Sequence, residues 1–395
     1  MRRLALLALV AFPTGVDAQI PGMEDEEMSP IYWIDVWYPK VYFTPTEGLG
    51  GGFFFAIQQP PTSDEWARAA PYRKAYSLDV LATTQGSRFV KLAANFPGAS
   101  EAWRFKARLT FQRRARDNYF GIGNETIYET ANITDTQPDY YRAVHDRYSL
   151  RTDVHRRITD GVRLVAGATV ERWRISSPEG PSLVAADSVA GVDGRIGVAT
   201  TEGAFRLGLV FDTRDDNVHP NNGVLIDALL AVADSSLFGD LSYTQFAFSA
   251  RGYLTATPRI QLAGRLAGRI ISGNPALGSY YLVENSEERY EALGGPGSHR
   301  GVLYNRLLGR DVLLSNFDVR YLLYGMPGIY RITLLGFLDA GRVFQNESFR
   351  ITTEGFLVGG GLGLVGQIGR AGVIGATVGY SRDGFAPAVH TKWTF

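Results

Sequence analysis

The chain has 395 residues, 40 of them basic and 40 acidic, and no cysteine. Zero net charge argues against a nucleic-acid binder, whose domain is basic, and the lack of cysteine removes disulfides, thiolate metal sites and a thiol nucleophile. Forty-five glycines with 20 tyrosines and 22 phenylalanines suit a many-stranded β protein, in which glycine makes bends and aromatic residues form interfacial girdles.

Residues 1–18 read as a secretory signal peptide. Arg2 and Arg3 supply the positive start, Leu4 to Phe12 the apolar stretch, and Val16-Asp17-Ala18 a small-residue cleavage site. That stretch is too short to cross a bilayer as a helix, which takes roughly 20 residues. Residues 19–47 are expected to be a short periplasmic lead. In it the acidic run Glu24-Asp25-Glu26-Glu27 precedes Tyr32, Trp33, Trp37 and Tyr38, a pattern of solvated acid followed by an interfacial aromatic belt. A small plug or partner contact is the other reading of this lead.

From residue 48 to residue 395 the pattern predicts one domain, an all-β, transmembrane antiparallel barrel. Sixteen strands are expected, over 48–58, 74–85, 87–96, 101–114, 119–130, 142–157, 161–175, 203–213, 223–234, 240–256, 259–272, 310–324, 329–341, 355–367, 371–382 and 386–395; fourteen and eighteen are the neighbouring counts. Short turns alternate with longer connections such as 131–141, 176–202 and 273–309, as in barrels with short periplasmic turns and long outer loops. An even count puts both chain ends on the periplasmic side. In 101–114, Trp103, Phe105, Leu109 and Phe111 alternate with Arg104, Lys106 and Arg108, apolar to lipid and basic to the lumen. In 259–272, Leu262 and Leu266 oppose Arg265 and Arg269. A soluble sandwich also alternates, but charged faces repeated around many long strands fit a wet lumen better. The basic rows Arg104-Lys106-Arg108 and Arg265-Arg269 would favour anions in an open pore.

The predicted first strand is rich in glycine at Gly50, Gly51 and Gly52, and the predicted last strand carries Pro387, which cannot donate a ladder hydrogen bond. These two strands must meet to close the barrel, so a weak seam is expected there. The last strand ends in Val389, Thr391, Trp393 and Phe395 on one face, as suits a closing outer-membrane strand. Gly359, Gly360, Gly361 and Gly363 read as wall curvature. No enzyme is expected: the five histidines are scattered, with His145 and His155 roughly 33 Å apart along one strand, and neither a nucleophile elbow nor a phosphate loop occurs. No cofactor or metal site is expected.

Three stretches resemble the barrel of the outer-membrane assembly factor superfamily, the BamA/TamA type, also called the bacterial surface antigen domain. Gly294-Gly295-Pro296-Gly297-Ser298-His299-Arg300-Gly301-Val302 is similar to the family's sixth extracellular loop, with Val302 in place of an aromatic and His299 in place of an aliphatic residue. Phe337-Leu338-Asp339-Ala340-Gly341 is similar to its Phe-x-Asp-x-Gly strand. Asp212-Thr213-Arg214-Asp215-Asp216-Asn217 with Pro220 and Gly223 resembles a periplasmic turn. Tyr119 to Asn124 and Tyr42 to Pro45 add weaker likenesses.

The resemblance implies that the loop folds into the lumen, with Arg300 against Asp339, Asp318 as a second acid, and Gly301 permitting the turn beside them. Phe337 and Gly341 would share that lumenal wall. The plainer alternative leaves Arg300 solvated and pairs Asp339 with Arg331. The resemblance further implies assembly, insertion or translocation of outer-membrane proteins, or of lipids, through the first–last seam. Outer-membrane lipid and lipopolysaccharide would surround the barrel, and client outer-membrane proteins would be its partners. The lead leaves no room for a periplasmic POTRA module, so a separate periplasmic partner is expected to take that role. A passive structural or channel barrel, plugged by the loop, is the alternative.

Overall fold

The computed structural model describes residues 33–44, 47–61, 70–326, 329–369 and 372–395. The expected signal peptide and the acidic run lie outside these residues. Sixteen strands form one antiparallel sheet in which each pairs with its neighbour in the chain. They are β1 (Ile34–Thr44), β2 (Gly48–Gln59), β3 (Lys74–Thr83), β4 (Arg88–Phe96), β5 (Trp103–Asn118), β6 (Arg142–Thr159), β7 (Val162–Ser176), β8 (Thr200–Asp212), β9 (Gly223–Ala233), β10 (Tyr243–Thr257), β11 (Ile260–Gly273), β14 (Asp311–Met326), β15 (Tyr330–Phe344), β16 (Leu357–Ile368), β17 (Gly372–Ser381) and β18 (Gly384–His390). β12 (Leu282–Val283) and β13 (Tyr290–Glu291) make a separate small hairpin inside the β11–β14 connection. No helix among the described residues is long and apolar enough to cross a membrane.

The sheet segregates its two faces as period-two alternation requires. On β14, Phe317, Val319 and Leu323 are exposed while Asn316, Asp318 and Arg320 are buried. The same inversion holds on β8, where Phe205, Leu207 and Leu209 lie outside and Arg206 is buried. A soluble protein puts its apolar face inside; this sheet puts it outside and curls its charged face around the 274–310 connection, most of which is buried.

The strand count agrees with the sequence expectation, but its composition does not. Residues 119–130, expected as a strand, form an irregular connection. Gly121 and Gly123 there have φ of 90° and 117°, values foreign to extended L-residues. The missing strand is β1, within the expected lead. Its Ile34-Asp35-Val36 alternation runs into Pro39, and a proline is tolerated in a strand at a sheet edge, which is where β1 lies.

This shift moves the expected seam. Gly50, Gly51 and Gly52 pair with Tyr42, Val41 and Lys40 of β1 and so lie one strand in from the edge. The edges are β1 and β18, and Pro387 sits in β18 opposite Val378 of β17. β18 also ends earlier than expected. Residues 391–395 leave the sheet and turn inward, so Phe395 is 6% exposed and packs on Tyr253. Inward cations account for this. The Arg265 guanidinium lies 5.2 Å from the Phe395 ring and that of Arg320 lies 4.0 Å from the Trp393 ring, contacts that an outward aromatic face would forfeit.

Candidate functional site

The interior is built on the tip of the 274–310 connection. The Arg300 backbone N–H and Nε both donate to Asp339 Oδ2, at 2.7 and 2.9 Å, and Nη2 donates to Asp339 Oδ1 and Asp318 Oδ1, each at 2.7 Å. Arg300, Asp318 and Asp339 side chains are fully excluded from solvent. Asp339 is held from its other side by Asn316 Nδ2 at 2.7 Å, and Asp318 Oδ2 accepts from Arg320 at 2.9 Å. The Phe337 ring lies 4.2 Å beneath the Arg300 guanidinium. Arg331, the alternative partner for Asp339, donates instead to Asn221.

A planar fork is what this arrangement needs, because one guanidinium serves two carboxylates and a ring face at once. Burial opposes charge on Arg300, but Asp339 and Asp318 outweigh it and raise its pKa above the ordinary arginine value.

Glycines set the depth of the loop. A Cβ on Gly301 would come within 2.7 Å of the Gly359 Cα, and one on Gly379 within 2.4 Å of the Arg300 carbonyl oxygen. The loop backbone therefore lies directly on the wall of β16 and β17. Gly359, expected to serve curvature, is part of that seat. Gly341 seats Leu293 in the same way, since a Cβ there would meet the leucine methyls at 2.7 and 2.9 Å.

The expected basic rows divide by role. Arg269 is fully buried and donates to the carbonyls of Ser279, Gly309 and Arg310. Arg265 donates to the carbonyls of Gly297, Ser298 and Thr394. Both clamp backbone; Arg265 also lines the cavity that the other row faces, so only Arg269 departs from the expected lumenal row. Of the other row, Arg108 pairs with Glu288 at 3.3 Å and Lys106 donates to the Ser286 carbonyl at 3.3 Å. Arg104 forms no ion pair among the described residues and borders a cavity of about 460 Å³ with Lys106 and Arg163.

A second set of contacts escaped the sequence reading. The turn between β12 and β13 carries Glu284, Glu287, Glu288 and Arg289. Glu287 meets Arg214 at 2.7 Å and Arg251 at 2.6 Å, Arg289 meets Glu171 at 2.5 Å, and Glu284 pairs with Arg151. Burial alone would raise the Glu287 carboxyl; Arg214, Arg251 and Lys106 outweigh it and hold it well below the usual range. The signal was an acidic run in a long connection of a protein whose inner strand faces are basic. Read as a loop, it had no assigned partner.

The Omp85 superfamily domain matches residues 91–380. The structure is similar to that of BamA from Haemophilus ducreyi lacking POTRA domains 1-3, with a TM-score of 0.52 at 11% identity over 91% of this chain and 68% of that one. It is also similar to CdiB from Escherichia coli, with a TM-score of 0.58 at 9% identity over 98% of this chain and 67% of that one. No curated protein sequence matches it. At these identities the structural likeness is one of fold.

Proposed function

Because the chain belongs to the Omp85 superfamily, we propose that its sheet closes into a transmembrane barrel of the bacterial outer membrane, and that it assembles or translocates outer-membrane proteins at the seam between β1 and β18. The exposed apolar face supports a lipid-facing wall. Both termini are then periplasmic, with the long connections 119–141, 177–199 and 274–310 on the outer side. Client outer-membrane proteins, and a separate periplasmic subunit that delivers them, are the partners this reading requires, and no bond-making chemistry is involved.

The observation that carries the reading is the weakness of the sheet edges. β18 has seven residues against fifteen or sixteen in β14 and β15, and each edge strand contains a proline. A short, proline-bearing edge is easily displaced, and an incoming strand can add to it through backbone hydrogen bonds. The test is a set of cysteine pairs placed across β1 and β18 in this cysteine-free chain. Locking the seam is expected to abolish client insertion as completely as deletion does, with recovery on reduction. If the locked protein works as well as the unlocked one, the seam has no part in function. A second reading, a passive barrel plugged by its loop with an anion-leaning interior, then takes its place. The cavity beside Arg104 and Arg163 favours that reading.

A further inference from the structure

Charge on the outward face is concentrated on one flank. Across β4 to β7 the outward residues include Val90, Leu92, Phe111, Tyr148, Leu150 and Val170, all exposed. At one rim this apolar field gives way to arginine. Arg88 of β4 is the cross-strand neighbour of Arg113 of β5, Arg113 of Asp146 of β6, and Asp146 of Arg174 of β7. One lateral row thus holds Arg88, Arg113, Asp146 and Arg174 within three strand spacings, about 14 Å. Arg172 lies one outward position below Arg174, beside Tyr148. By contrast, β8, β9 and β10 present Phe205, Leu207, Leu230, Val232 and Phe246 outward.

Four arginines share one carboxylate. Arg113 donates to Asp146 at 3.0 and 3.1 Å; Arg88, Arg172 and Arg174 form no ion pair among the described residues. Cations held side by side repel, and an arginine facing lipid is costly unless it sits at headgroup level. Both penalties fall if an anion lies along the row, and guanidinium forks match phosphate geometry. Level with the row and beneath it, a groove of about 380 Å³ runs between Gly51, Ala82, Val90, Phe111 and Tyr148, with Arg88 and Arg113 in its walls. Gly51 leaves it open, since no atom lies within 4 Å of where its Cβ would be. The row is at the rim from which the connections 119–141 and 177–199 depart.

We propose that this flank is a docking surface for a phosphate-bearing glycolipid of the outer leaflet, its phosphates along Arg88, Arg113 and Arg174 and an acyl chain in the groove. The proposal rests on the outer-membrane reading above. The groove and the row are contiguous, so the occupant must join an anionic head to an apolar tail, which a free phosphate does not.

The test is native mass spectrometry of the full chain in detergent micelles, titrated with bisphosphorylated lipid A and, separately, with dephosphorylated lipid A. The phosphorylated form is expected to bind at least tenfold more tightly, as one retained copy. The triple variant Arg88→Gln, Arg172→Gln, Arg174→Gln should erase that preference. Arg156→Gln, which removes the arginine stacked 4.7 Å from Trp103 at the opposite rim, should keep it. Equal retention of the two lipids by the wild type, an unchanged preference in the triple variant, or displacement of the lipid by equimolar inorganic phosphate would each overturn the proposal. Heat-modifiable gel mobility, read in parallel, reports on the barrel itself. Its absence in the wild type would overturn the membrane reading, whereas its presence without lipid preference would overturn only the docking surface.

Discussion

Arg300 is the residue on which the interior depends. Its charge is fully buried, and among the described residues it is the one cation that pairs with Asp339, whereas Asp318 also pairs with Arg320. Removing one partner of such a pair costs roughly 3–5 kcal/mol, because the remaining charge is stranded. Arg300→Ala is therefore expected to lower unfolding stability by that order and to open the 294–304 segment to protease. Asp339→Ala should cost a similar amount, yet the double variant should cost much less than the sum, since it strands less charge. A double-mutant cycle in detergent measures this coupling, and additive costs would mean the pair is not the anchor. Arg300→Lys should rescue little, because an ammonium cannot bridge Asp318 and Asp339 in one plane. The pairing was legible in the sequence through likeness alone: Arg300 and Asp339 are 39 positions apart, and no periodicity links them. The Gly301–Gly359 contact was not legible, because a glycine required by close approach looks the same in sequence as one required by a bend.

At the scale of elements, β2 to β11 and β14 to β17 were readable to within a few residues. Alternation failed where another force decides the backbone. In 119–130 the glycines at positive φ break the extension that the aromatics suggested. In β1, Trp37 and Tyr38, read as an interfacial belt after the acidic run, belong to a strand. In the tail, Val389, Thr391, Trp393 and Phe395 keep the period of a strand, but the inward arginines draw the last residues off the sheet. The edges that result should also be the least protected part of the sheet. Backbone groups on an edge strand exchange more readily than those paired on both sides. Amide hydrogen exchange is accordingly expected to be fastest in Gly384–His390 and Ile34–Thr44, and slowest in Asp311–Met326 and Tyr330–Phe344. Uniform protection across all sixteen strands would contradict a weak seam, and with it the proposed route for clients.

For the whole molecule, the loop anchor and the chain terminus are joined through two arginines. Arg265 donates to Gly297 and Ser298 of the loop and to Thr394 of the tail. Arg320 holds Asp318, the second acid of the anchor, and lies within cation–π distance of Trp393 and Phe395. The tail follows β18, one of the two sheet edges, so displacement of that edge strand pulls on the same groups that fix the loop. Opening of the seam and release of the loop are thus expected to be one event. The variant Trp393→Ala with Phe395→Ala, refolded into detergent micelles so that insertion in cells is not needed, should raise exchange in the 294–304 segment as well as in β18. Combining it with Arg300→Ala should add little further exchange in that segment, because either change already frees the loop. If the tail variant loosens β18 while the loop stays as protected as in the wild type, the two sites act separately, and the shared arginines serve only to fill the interior.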